Sequence, residues 1–455
     1  MKKKNGIRCL FFIALGLLTV VSTMASRGDA SASELLPATS VALDDGKIAW
    51  GSEAGVYYWD GASYIQITGR SLADGFSPAA GFFATSDYSP TTSVSLDAGK
   101  VAWGSASGVY YWDGAVYTQV SGYTETTGFF PAPGFIAASD YSPTTSVSLE
   151  AGEVAWGSAS GVYYWDGAVC TQVSGYTETT GFFPAPGFIA ASDYSPTTSV
   201  SLEAGEVAWG SASGVYYWDG ASFTQIGGHD FTDGFLPAPG FIAMSEYSPT
   251  TSVSLEAAEI GWGSASGVYH WDGTAYTQIS GYTETDGFSP APGFIAASEY
   301  AAPLSVSLND GKVAWGSESG VYLWDGGSDT PYTQIGGAGL TTGFSAAPGF
   351  IAESEFSTPT SVSSDDGKIA WGSASGVYYW GGASVAEVSD LDDVKKGDVN
   401  GDDKVDIADA VLAFKILAGM QPPVTVSREA DVNGDSRIGL EEILYIIEKI
   451  AGLRQ

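Results

Sequence analysis

Towards the end of the chain, oxygen-bearing side chains recur at a spacing that suits a hard divalent cation. In the first segment they occupy positions 1, 3, 5, 9 and 12 of a loop: Asp398, Asn400, Asp402, Asp406 and Asp409, with the Lys404 carbonyl at position 7. A second segment, in the same phase, offers Asp431, Asn433, Asp435, the Arg437 carbonyl and Glu442. Oxygens alternating along one tight loop converge on a single ion, and a carboxylate at position 12 can close the shell with both oxygens. That is the coordination Ca2+ requires, so two ions are expected, one per loop. Each loop runs into apolar residues at helical spacing, Val411, Leu412 and Ile416 after the first and Ile443, Leu444 and Ile447 after the second.

This pair of loop-helix units resembles the dockerin family over about 60 residues. The resemblance rests on the Asp-Val-Asn-Gly-Asp openings, the apolar Val405 and Ile438 at position 8, and the two apolar helices. It implies a calcium-loaded module that binds a cohesin-type partner and so attaches the protein to a scaffold or cell surface. Two departures stand out. Position 6, usually Gly, is Asp403 and Ser436, and the Ser-Thr pair with which many dockerins contact cohesin is replaced by Ile407-Ala408 and Leu440-Glu441.

Elsewhere the sequence offers little for catalysis, and no catalytic residue is assigned. His270 stands where other repeats have Tyr, and His229 lies in a loop beside Asp230; neither has a second ligand or a nucleophile motif. The Asp of each Trp-Asp-Gly triplet (Asp60, Asp113, Asp166, Asp219, Asp272, Asp325) is accounted for by turn chemistry, and the seventh copy has Gly381 instead. A carboxylate pair for glycoside cleavage could still be assembled from two repeats. The function therefore reads as non-enzymatic binding and display, within a polysaccharide-degrading complex. A carbohydrate-active enzyme and a surface-matrix protein stay open as alternatives.

The larger body must carry that display. Copies of the stretch Trp-Gly-Ser-Ala-Ser-Gly-Val-Tyr-Tyr-Trp-Asp-Gly begin at Trp50, Trp103, Trp156, Trp209, Trp262, Trp315 and Trp371, and all 14 tryptophans fall in them. In the second copy Ser93 to Leu96 alternates polar and apolar, Lys100 to Trp103 and Val109 to Trp112 are apolar on both faces, and Tyr117 to Val120 follows a turn. Four short antiparallel strands per unit and seven units predict a mainly β fold, a seven-bladed β-propeller, with an open solenoid as runner-up. The triplet Trp-Asp-Gly is similar to the end of a WD40 repeat, but the Gly-His partner is missing, and the Gly-Gly doublet of kelch is absent as well. The propeller thus resembles no named family.

Between copies runs a Pro- and Gly-rich segment, Gly128 to Thr145 in the second, whose Phe129, Phe130 and Phe135 could either plug gaps between blades or form a binding rim for a polysaccharide or protein ligand. Residues 101–168 match 154–221 at every place except Tyr117 against Cys170, so Cys170 is expected to be a packed apolar substitution.

Charge sets limits on partners. The net charge is −34, and no Lys or Arg occurs from Val101 through Gly311. Nucleic acid and anionic membrane surfaces, which need cationic contacts, are excluded as partners. Lys2, Lys3, Lys4 and Arg8 precede a short apolar run, Cys9 to Val21, and Ala30-Ser31-Ala32 offers a cleavage point. This predicts export to the cell surface or medium with no later membrane span. The expected divisions are a signal peptide over 1–32, the propeller over 35–389, an acidic linker over 390–396 and the calcium module over 397–455.

Overall fold

The run Gly-Val-Tyr-Tyr-Trp has no polar face, and a strand of that kind is stable only with packing on both sides. In the computed structural model it is the third strand of five blades, with His270 and Leu323 replacing the second Tyr in blades 5 and 6, and in blades 1 and 2 it is buried throughout, over Gly55–Trp59 and Gly108–Trp112. The described residues are 37–388, without 74–75, 83, 85–87, 136, 138–141, 189, 191–194, 242, 244–247, 293, 295–300, 327–331 and 353–355, together with 397, 399–400, 405–420, 430, 432 and 437–450. The expected signal peptide and acidic linker lie outside them. Among the described residues no helix is long and apolar enough to cross a membrane.

Seven sheets follow one another, each built from consecutive strands of its own repeat. Strands 1 to 4 are antiparallel, as in blade 2, where Val94 faces Trp103, Trp103 faces Tyr110, and Trp112 faces Tyr117. Six blades differ from the expected four strands. A fifth strand, Phe130–Pro131 in blade 2, pairs parallel to strand 4 and is drawn from the inter-repeat segment. In blade 6 it lengthens to Ser345–Ala352, whereas the seventh sheet has four strands.

The hairpin between strands 1 and 2 needs positive φ at both central residues. Asp45 and Gly46 supply 47° and 72°, but blade 5 places Ala257 and Ala258 there at 50° and 62°, a conformation that costs alanine more than glycine.

The hydrophobic core is a set of layers between blades rather than one centre. Ile67, Val56 and Tyr58 of blade 1 pack with Val101, Trp103, Trp112 and Tyr117 of blade 2, and equivalent layers follow around the ring. Within every blade the strand-2 Trp stacks on the strand-3 Tyr, for example Trp103 on Tyr110 with centroids 5.5 Å apart. Toward the next blade, Tyr111 meets Trp165 at 6.1 Å.

Hydrogen bonds stitch the innermost strands together. The Ser93 hydroxyl accepts from the Val147 amide at 3.1 Å, Ser95 from Leu149 at 3.0 Å, and the Asp97 carboxylate from Ala151 at 2.9 Å, and the pattern continues from blade to blade. The ring closes by the same means. Ser363 accepts from the Leu43 amide at 3.0 Å, Asp365 from Asp45 at 2.8 Å, and Val41, Trp50 and Trp59 share one cluster with Ala370, Val377 and Val388. Blade 7 takes its fourth strand, Val385–Glu387, from its own repeat, so among the described residues no strand is shared across the seam.

Candidate functional site

The described residues of the tail include two helices, α1 (Ile407–Leu417) and α2 (Leu440–Ile450). Asp406 caps α1: its carboxylate accepts from the Ala408 amide at 2.6 Å, while Asp409 returns a bond to the Asp406 amide at 2.9 Å. This reciprocal box satisfies helix-end amides that would otherwise be unpaired and fixes how the chain leaves the loop. The helices pack through Leu412, Ala413, Ile443, Tyr445 and Ile446, and the two loops meet where the Gly397 amide donates to the Ala430 carbonyl at 3.1 Å.

The position-12 carboxylates are the distinctive feature. Asp409 is 0% exposed and Glu442 1%. One oxygen of Asp409 accepts from the Asn400 amide at 3.0 Å and the other from Asp406, so the side chain ties the start of the loop to its end. Glu442 does likewise, accepting from Val432 at 3.2 Å and from Gly439 at 2.5 Å. Each carboxylate oxygen keeps a second lone pair beyond the one an amide uses. A buried carboxylate also calls for positive compensation, which a divalent cation in the loop would supply. On both counts the donor set fits calcium.

Of the eleven residues the sequence nominates, Asn400, Asp406, Asp409, Arg437 and Glu442 are described; Asp398, Asp402, Lys404, Asp431, Asn433 and Asp435 lie outside the described residues. A feature not anticipated from the spacing is the outward surface. Ile407, Val411, Phe414 and Leu417 are exposed on α1, and Leu440, Leu444, Ile447 and Ile450 are exposed at matching places on α2. In both helices these residues follow the i, i+4, i+7 rule of one face, so the signal was present in the sequence.

In the propeller, His270 is buried, packs on Trp324 and lies 2.9 Å from Glu259, while His229 contacts Asp230 at 2.6 Å on the surface. The turn aspartates spend their oxygens locally: Asp113 accepts from Ala115 at 2.9 Å and Val116 at 2.8 Å. The three phenylalanines of the inter-repeat segment divide. Phe129 packs on Tyr110 at 4.6 Å and Phe135 is partly buried, whereas Phe130 faces solvent. Cys170 is buried, and burial together with the Asp166 charge pushes its thiol up to about 12.

A family model for the dockerin type I domain matches residues 396–451. No curated protein matches the chain. Similar solved structures include the computationally designed Ika8 protein, 14% identical with a TM-score of 0.40 over 78% of this chain and 87% of that one. The extracellular domain of a hybrid two-component system from B. thetaiotaomicron is 15% identical, with a TM-score of 0.45 over 76% and 38%. The WD40 propeller domain of Doa1 is 13% identical, with a TM-score of 0.40 over 75% and 91%. Dockerin type I domains bind calcium and dock to cohesins. Residues 396–451 are a dockerin type I domain, carried by a chain whose repeats form a seven-bladed β-propeller.

Proposed function

We propose that this is a secreted, non-enzymatic display protein whose propeller presents a binding surface and whose tail tethers it to a cohesin-type domain, within a polysaccharide-degrading complex. In this reading the divisions are 1–32, 35–389, 390–396 and 397–455. One calcium ion is held by Asp398, Asn400, Asp402, the Lys404 carbonyl, Asp406 and Asp409, and a second by Asp431, Asn433, Asp435, the Arg437 carbonyl and Glu442.

The observation that carries the tether is the arrangement of Asp409 and Glu442, each buried in the first turn of a helix that leaves an apolar stripe uncovered. Stripes of this kind mark contact surfaces. Ion binding and folding are coupled in so small a module, so calcium controls whether the stripes are presented. The partner face that suits Ile407 and Leu440 is apolar, in contrast to the hydroxyl contacts that a Ser-Thr pair would make.

The test is titration of the full chain with purified type I cohesin domains, with calcium and with chelator. Calcium-dependent binding weakened by Val411→Asp and Leu444→Asp together is expected. Binding that ignores chelator, or no binding to any cohesin, would overturn the tether. Product release from plant or algal polysaccharides would overturn the non-enzymatic reading.

A further inference from the structure

Strand 4 of each blade runs away from the Trp-Asp-Gly turn, so the residue just after it lies at the end of the blade opposite the Asp-Gly hairpins. That residue is Tyr123 in blade 2, Tyr176 in blade 3, His229 in blade 4 and Tyr282 in blade 5. The three tyrosines are 58%, 59% and 60% exposed, unusually open for so large a ring. Phe130, Phe183 and Leu236 are exposed as well, on the fifth strands of blades 2, 3 and 4, but they pair with Thr118, Thr171 and Thr224 near the start of strand 4 and so lie towards the other end of the blade, while blades 1 and 6 carry Arg70 and Ala338 in place of the tyrosine. The aromatic arc is therefore a local departure from the sevenfold pattern.

The loops that carry the tyrosines are held rigidly. The buried Gln119 amide donates to the Thr124 carbonyl at 2.8 Å, and its oxygen accepts from the Thr126 amide at 2.6 Å. Gln172 and Gln278 clamp the loops of Tyr176 and Tyr282 in the same way. A clamped loop displays its ring in a fixed place, which lowers the entropy cost of stacking something upon it.

At the foot of the first of these loops lies a small, half-open cleft of about 20 Å³ between blades 1 and 2, lined by Thr68, Trp103, Ser105, Ser107, Tyr110 and Thr126 among others. The Tyr123 amide donates to the Ser107 carbonyl at 3.4 Å, which sets the exposed ring beside the cleft. The lining is a chain of hydroxyls: Ser105 to Ser107 at 3.0 Å, Ser107 to Tyr110 at 3.1 Å, Tyr110 to Thr126 at 2.9 Å. The Thr68 hydroxyl is 1% exposed and has no partner among the described residues. In blade 3 the same chain recurs through Ser158, Ser160, Tyr163 and Thr179, and Ser121 takes the place of Thr68, likewise unpartnered.

We propose that this arc, Tyr123, Tyr176 and Tyr282 with the hydroxyl chains at the foot of their loops, binds an uncharged polysaccharide. A pyranose offers an apolar face of C–H groups, which suits a flat exposed ring, and a rim of hydroxyls that can both donate and accept, which suits the half-buried Ser107 and Thr126 and their equivalents Ser160 and Thr179. Charge selects among sugars. No Lys or Arg lies in blades 3 to 5, and Glu125, Glu178 and Glu284 stand two residues after the tyrosines, so polyanionic glycans are repelled. Repetition from blade to blade matches a polymer of repeating units and lets weak contacts sum. The inference deepens the binding role given above to the propeller and is independent of the tether.

The experiment is affinity gel electrophoresis of the full chain in calcium, in gels containing hydroxyethyl cellulose, galactomannan, neutral arabinoxylan or pullulan, with polygalacturonate and chitosan as charged controls. Retardation in at least one uncharged gel is expected, reduced roughly tenfold or more in the triple variant Tyr123→Ala, Tyr176→Ala, Tyr282→Ala. Because the three rings are exposed, the variant should keep the tryptophan emission and the cohesin titration of the parent. No retardation in any uncharged gel, or retardation that the triple variant leaves unchanged, would overturn the proposal. So would retardation by polygalacturonate or chitosan alone. Loss of cohesin binding with glycan binding intact would strike only the tether.

Discussion

The Tyr117 hydroxyl donates across the blade boundary to the backbone carbonyl of Ile67 at 2.7 Å. Tyr276 makes the same bond to Ile226 at 2.8 Å and Tyr332 to Ile279 at 2.6 Å, while Tyr64 reaches Val388 at the seam. In blade 3 the place is taken by Cys170, whose sulfur approaches the Val120 carbonyl only at 3.8 Å. A buried bond of this kind is worth about 1 kcal/mol, and an orphaned carbonyl costs more. Tyr117→Phe should therefore lower the unfolding free energy by about 1–2 kcal/mol. Cys170→Tyr should raise it by about 1 kcal/mol if blade 3 repacks as its near-identical neighbour does. Urea unfolding followed by tryptophan emission reads both changes.

The same cysteine gives a second test. With its thiol buried and pushed up to about 12, Cys170 carries almost no thiolate at neutral pH. A disulfide reagent at pH ~8 should leave it unmodified in the folded chain and react with it at once in denaturant. Rapid labelling of the native protein at this residue would show that the blade 2–3 boundary opens.

Much of this architecture could be read in the sequence because its causes are local. Val109 to Trp112 are apolar on both faces, the Asp-Gly pairs specify tight hairpins, and the loop spacing from Asp398 specifies a cation. What could not be read arises between residues far apart. The seam joins Leu43 to Ser363, and no pattern along the chain encodes a bond of that kind. The fifth strand, Phe130–Pro131, is two residues long and parallel, too short to show a period of two. Phe129 and Phe130 are adjacent and equally apolar, yet successive residues of an extended chain point to opposite faces, so one packs inward and the other faces water. Ser93 and Ser95 look like the solvent side of an edge strand until the next blade supplies their partners.

Around the axis, Asp44, Asp97, Glu150, Glu203, Glu256, Asn309 and Asp365 occupy the same point of successive blades. Burial, reinforced by neighbouring carboxylates, pushes Asp44, Glu150, Glu203 and Glu256 above the usual carboxylate range. A raised value in the folded state means that the fold binds these protons more tightly than the unfolded chain does. Their contribution is therefore fully present below the ordinary carboxylate value and is lost as pH rises through the raised ones. The blades should melt at a higher temperature at pH ~5 than at pH ~8. Asp219 works in the opposite sense: although burial opposes it, the Ser222 hydroxyl and the turn amides hold its carboxyl low, so its contribution is lost only under stronger acid. Glu203→Gln, which copies the uncharged Asn309, should flatten the pH dependence seen in tryptophan-monitored melts.

Asp409 and Glu442 predict how the tail responds to calcium. Each carboxylate holds two backbone amides of its own loop and is poised to take an ion as well, so removing one should damage one loop more than the other. Glu442→Gln keeps the shape but removes the charge and puts an NH2 donor where one acceptor oxygen stood. It should weaken binding at the second loop roughly tenfold or more while the first loop still fills, giving one strong step in calorimetry where the parent gives two. Asp409→Ala should do more, because it also deletes the capping box of α1, a loss of about 1 kcal/mol before any ion is counted. Chelator should reduce helical circular dichroism in the parent and leave tryptophan emission unchanged, since all 14 tryptophans lie in the blades. A coupled loss of both signals would mean that the propeller itself depends on calcium.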